Sequence, residues 1–100
     1  MSNSKTINEL ANRYSDDTTA ILSRLVQTRS YGGEEGEVLK VIEEYCRGYG
    51  FDEVRYDGLG NLICRVGSGD RVVAFDAHID TVETGDESQW SRDPFSGVVE

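Results

Sequence analysis

Apolar positions in the first quarter of the chain recur at helical spacing: Ile7, Leu10, Ala11, Tyr14, Ile21, Leu22, Leu25 and Val26. This spacing predicts a helix over 6–28, crossed by a polar patch at Ser15-Asp16-Asp17-Thr18-Thr19. One helix running through the patch is the preferred reading, and a second helix capped by Asp16 or Asp17 is the alternative. Ser30-Tyr31-Gly32-Gly33 breaks the pattern, after which Glu34, Glu35 and Glu37 place negative charge where a helix N-terminus favours it. Val38, Leu39, Ile42, Tyr45, Cys46 and Tyr49 form the apolar stripe of that helix, and Gly50 suits its C-terminal turn. Short runs then predict strands at Glu53–Tyr56, Asn61–Val66 and Arg71–Phe75, with hairpin turns at Asp57–Gly60 and Gly67–Asp70. A further strand is expected from Val98 to Glu100. The order is two helices followed by strands of a mixed sheet, an α/β arrangement that stops before the sheet is complete.

The stretch from Val72 to Val82 changes the picture from fold to chemistry. Val72-Val73-Ala74-Phe75 runs into Asp76-Ala77-His78-Ile79-Asp80, so a buried strand would deliver polar groups at its C-terminal end, where α/β sheets keep their sites. In extended chain, Asp76, His78 and Asp80 share one face. A neutral imidazole binds zinc best when a carboxylate holds its other ring N–H, and Asp80 is spaced to do this for His78, the chain's sole histidine. For a bare His-x-Asp, too short a pattern to be specific, the preferred reading is a strand-end histidine paired with a nearby acid and bound to nothing.

Composition narrows the setting. The first fifty residues hold six Lys/Arg against eight Asp/Glu and the second fifty four against eleven, so most of the net charge of −9 lies in the half containing His78. That field disfavours nucleic acid or an anionic membrane as partner. Cys46 and Cys64 lack the spacing of a redox or zinc motif and read as reduced core residues. There is no apolar signal-peptide core and no run of membrane-spanning length, which makes the cytoplasm the expected compartment. Neither glycine-rich turn carries the Lys-Ser/Thr ending of a phosphate loop. Trp90 and Phe95 are expected to anchor the irregular loop after Asp80, the alternative being that Trp90 lines a substrate pocket.

Several motifs in order carry a resemblance. Phe75-Asp76-Ala77-His78-Ile79-Asp80-Thr81-Val82, then Gly85-Asp86, Trp90 and Asp93-Pro94-Phe95, with Gly50-Phe51 and Gly60-Asn61 upstream, resemble the zinc hydrolases that include acetylornithine deacetylase, succinyl-diaminopimelate desuccinylase and carboxypeptidase G. The look is nearest to a branch of hydrolases linked to selenium metabolism. The resemblance implies that residues 1–100 are the N-terminal part of one zinc-peptidase-like catalytic domain. It implies two zinc ions, with cobalt or manganese as other divalent possibilities, and cleavage of an amide in a small N-acylated amino acid or dipeptide. His78 looks like a zinc ligand and Asp80 like the acid that orients it and is counted as catalytic. Asp76 receives no role, and Glu34-Glu35 precede the motif, whereas the family's Glu-Glu pair follows it. The bridging aspartate, that pair, the further acidic ligand, the second histidine and the lid domain that commonly makes a homodimer have no counterpart in this sequence. The hundred residues alone are therefore expected to be inactive, and a non-catalytic interaction or structural module is the alternative.

Overall fold

The computed structural model describes residues 2–100. Helix α1 spans Asn3–Arg13, α2 Ser15–Val26 and α3 Gly36–Gly48; strands β1 (Glu53–Tyr56) and β2 (Leu62–Arg65) follow, and a 3₁₀ turn covers Glu87–Gln89. The α/β class and its order, helices before strands, are as expected.

The single helix expected over 6–28 is two helices, parted at Tyr14 with φ −101° and ψ 9°. The polar patch explains the break. Ser15 donates its hydroxyl to Asn12 O at 2.9 Å, Thr18 to Tyr14 O and Thr19 to Ser15 O, both at 3.0 Å. Hydroxyls bonded back to the preceding turn compete with the main-chain ladder. Asp16 and Asp17 do not cap α2 but lie in its first turn, where their charge opposes the helix dipole. No residue of α1 or α2 is buried.

Among the described residues the buried apolar ones are Val38, Val41 and Cys46, all on α3. Val41 was not in the expected stripe, and Tyr49, which was, is exposed. The helix ends in a Schellman turn: Phe51 N donates to Cys46 O and Gly50 N to Arg47 O, each at 3.1 Å, with Gly50 at φ 71°. This reversal lays β1 and β2 back against α3.

The two strands are antiparallel, with Glu53 opposite Arg65, Val54 opposite Cys64, Arg55 opposite Ile63 and Tyr56 opposite Leu62. Asp57 holds their turn, accepting from Leu59 N and Asn61 N at 2.9 Å. The second expected hairpin does not form, because Arg71–Phe75 is not a strand; nor is Val98–Glu100. A strand exists only where a neighbour accepts and donates its ladder bonds, and among the described residues none pairs with either run. Val72 is 85% and Phe75 95% exposed.

Candidate metal centre

Residues 71–80 carry no regular secondary structure, yet their far end is tied down. Ser30, 3% exposed, donates its hydroxyl to Ile79 O at 2.9 Å. Thr81 N donates to Ser30 O at 2.8 Å, and Tyr31 and Thr81 form a parallel bridge. The chain just beyond α2 therefore grips the backbone on either side of Asp80. Further along, Gln27 Nε2 donates to Ser96 O at 3.0 Å and the Ser23 hydroxyl bonds Gly97 O, which seats the C-terminal segment on α2. Tyr31 and Phe95 meet with ring centres 6.4 Å apart, and Trp90 Nε1 donates to Thr84 O at 2.9 Å. Trp90 thus ties its own loop together while staying half exposed, and it also borders an open cleft of about 500 Å³ beside Leu22, Val26 and Pro94.

His78 Nδ1 lies 3.0 Å from Asp80 Oδ1 and 3.1 Å from Asp80 O. Both partner atoms are acceptors, which selects the tautomer with its proton on Nδ1; in the neutral ring of that tautomer the lone pair is on Nε2. Nε2 has no hydrogen-bond partner among the described residues, and the His78 side chain is 84% exposed. This is the arrangement a metal-binding imidazole adopts: one nitrogen oriented by a carboxylate, the other open. Asp76, expected on the same face, makes no hydrogen bond or ion pair among the described residues. Glu34 pairs with Arg29 at 3.1 Å and Glu35 accepts from Gly33 N at 3.0 Å, so both serve the entry to α3.

A divalent-metal site needs about four donors, three of them from protein in catalytic zinc sites. Among the described residues no group of three His, Cys, Asp or Glu side chains converges to hold one. His78 and Asp80 therefore fit one corner of a coordination sphere, a ligand and its orienting acid, and not a whole site. Ser30 was missed in the sequence as anything but a helix breaker, since a lone serine 49 residues from its partner leaves no local signal.

With this geometry in hand, comparison with known proteins bears on what the corner is for. The chain is 40% identical over 87 residues to a succinyl-diaminopimelate desuccinylase of Cereibacter sphaeroides, covering 83% of this chain and 23% of that protein. The chain resembles desuccinylases. A second such enzyme, from Hydrogenovibrio crunogenus, is 30% identical over 86 residues, with 84% and 23% covered. An Escherichia coli K12 protein described as uncharacterized protein YgeY is 40% identical over 94 residues, covering 94% of this chain and 23% of YgeY. The chain thus spans less than a quarter of the length of the curated relatives it matches. No family model matches it, and no solved structure does.

Proposed function

We propose that this chain carries the first metal motif of a zinc-dependent hydrolase that cleaves amide bonds of small N-acylated amino acids or dipeptides. One observation carries the reading: Asp80 holds His78 Nδ1 at 3.0 Å, and Nε2 has no hydrogen-bond partner among the described residues. The likeness to desuccinylases supports removal of an acyl group from an amine as the reaction class. In this reading residues 1–100 are part of one catalytic domain, acting in the cytoplasm on a small amide or peptide, in a homodimer when full length. The selenium-linked branch is the finer placement within the same family.

His78 is then a zinc ligand through Nε2. Asp80 fixes its tautomer, makes the imidazole more basic and completes the catalytic pair. Bound zinc, or cobalt or manganese in its place, would polarise the scissile carbonyl and bring a water toward neutral pKa. The remaining donors and the proton-shuttling glutamate come from outside these hundred residues.

The test uses a polypeptide of the relatives' length that contains this sequence, assayed for zinc content and for hydrolysis of N-succinyl and N-acetyl amino acids. His78→Ala should lose zinc and turnover. Asp80→Ala should lower affinity or activity about 10–100-fold with an unchanged unfolding midpoint. Full zinc and turnover in His78→Ala would refute the reading, as would an Asp80→Ala variant that loses its midpoint but keeps normal turnover per folded molecule. The lack of a three-donor cluster among the described residues favours a second reading, a non-catalytic module. A coding frame that ends at Glu100 in an expressed gene would select it.

A further inference from the structure

Ser30 is the sole buried polar residue among those described, 3% exposed in the segment between α2 and α3. A buried hydroxyl must find partners, and this one finds them 49 residues away in the stretch that carries His78 and Asp80. Its single proton goes to Ile79 O at 2.9 Å. Its oxygen lies 3.5 Å from Thr81 Oγ1, which is then the donor in that contact. The main chain of the same residue completes the grip, Ser30 O accepting from Thr81 N at 2.8 Å.

These bonds fall on the two peptide groups that flank the Asp80 Cα. One group holds Ile79 C=O and Asp80 N–H, the other Asp80 C=O and Thr81 N–H. Each is a rigid plane, so a bond to one of its atoms limits the tilt of the whole. With both planes held, φ and ψ of Asp80 are confined, and with them the direction of its Cα–Cβ bond. Both atoms that face His78 Nδ1 depend on that setting: Oδ1 at 3.0 Å hangs from the Cβ, and Asp80 O at 3.1 Å belongs to the second plane.

We propose that Ser30 is the positioning residue of the His78–Asp80 pair, its buried hydroxyl and its carbonyl together aiming the Asp80 acceptors at His78 Nδ1. The two side chains are 84% and 52% exposed, so packing around them does not aim them. The hydroxyl separates this role from general support of the fold. Any residue at position 30 keeps a carbonyl for Thr81 N, and only a short side chain with a donor holds Ile79 O. What the aligned pair serves rests on the proposed metal reading, whereas the alignment itself needs no metal.

Nitrogen-15 NMR of the imidazole in the metal-free hundred-residue chain tests the alignment at about pH 8.5, above the ordinary histidine range. The sole histidine makes the signal unambiguous. Wild type should show its ring proton mainly on Nδ1 and a slowly exchanging Thr81 amide. Ser30→Ala should keep that amide protected yet move the proton mainly to Nε2, because the acceptors no longer stand in line. Ser30→Cys, close in size and a weaker donor, should fall between the two, and it decides the matter if Ser30→Ala does not fold. A wild-type ring protonated mainly on Nε2, or a fast-exchanging Thr81 amide in wild type, would overturn the proposal. So would a wild-type tautomer ratio in the deciding variant, or a tautomer shift in a folded variant that comes only with loss of Thr81 protection, which would mark Ser30 as structural. In a polypeptide of the relatives' length, Ser30→Ala should also weaken zinc binding about tenfold, the low end for loss of an orienting partner. Zinc retained by His78→Ala there would defeat the metal reading and leave the tautomer result standing, so the two failures are told apart.

Discussion

The contrast between Val38 and Val72 offers a direct measurement of where this chain is held together. Val38 is 2% exposed on the inner face of α3, one of three buried apolar residues among those described, whereas Val72 is 85% exposed in the run before His78 and Asp80. Val38→Ala removes two methyl-sized groups at about 0.8 kcal/mol each and leaves part of their volume empty. Together these come to about 2 kcal/mol. For a chain of this size that lowers the thermal midpoint on the order of 10 °C. Val72→Ala removes the same atoms from a side chain already in water, and its effect should stay within about 0.5 kcal/mol.

The assay is thermal unfolding of both variants followed by circular dichroism, at low and at tenfold higher concentration, with urea unfolding at a fixed temperature as a check. If Val72→Ala destabilises as strongly as Val38→Ala at low concentration, the 72–75 run is covered within the monomer and the description of the core on α3 is wrong. If the Val72 effect appears only at high concentration, the exposed run is buried between chains. That behaviour suits Val72, Val73, Phe75 and Val82, each of them largely exposed and none in a strand pairing among the described residues.

Two further outcomes test other parts of the molecule. Gly97 has φ 66°, and a Cβ there would meet Ser23 O at 2.7 Å and Gln27 Cγ at 2.8 Å; Gly97→Ala should free the C-terminal segment from α2, seen as faster amide exchange over residues 95–99, and unchanged exchange would refute that seating. Arg55 and Arg65 hydrogen-bond Glu53 and hold its carboxyl below its ordinary 4.5. The folded state thus releases this proton more readily than the unfolded one, so the contribution of Glu53 is present above pH 4.5 and is lost as pH falls through the lower native value. Glu53→Gln should flatten the acid limb of the midpoint-against-pH curve, and an unchanged limb would remove Glu53 from the account.

What could be read from the residues alone divides along the range of the interactions. The β1–β2 hairpin was legible because its determinants are neighbours: Asp57 accepts from residues two and four positions on, and Gly60 supplies φ 87°. The helix α3 was legible for the same reason, its stop being written in Gly50 and Phe51. Local hydroxyl bonding overrode the apolar period at Tyr14, where counting apolar positions could not weigh three side chains bonding backwards. The runs Arg71–Phe75 and Val98–Glu100 have strand composition, but composition supplies only a preference. The partner that turns preference into a ladder is not among the described residues.

The candidate site shows the same division within one motif. The pair itself is local, since a two-residue step in extended chain is enough to bring Asp80 Oδ1 to His78 Nδ1. Its seat is not local: the carbonyl of Ile79, between the two, is held by the buried hydroxyl of Ser30, and Thr81 N by Ser30 O. One residue near the end of the helical region therefore fixes the main chain on both sides of Asp80, while the two side chains remain in solvent. A ligand must be accessible to its metal and yet not wander, and side-chain bonding alone would leave an exposed pair free to swing with its loop. Anchoring the backbone from behind resolves that conflict without covering Nε2. On the proposed metal reading, the Ser30 clamp would hold the main chain beside the pair in place while Nε2 stays open to a donor-seeking ion.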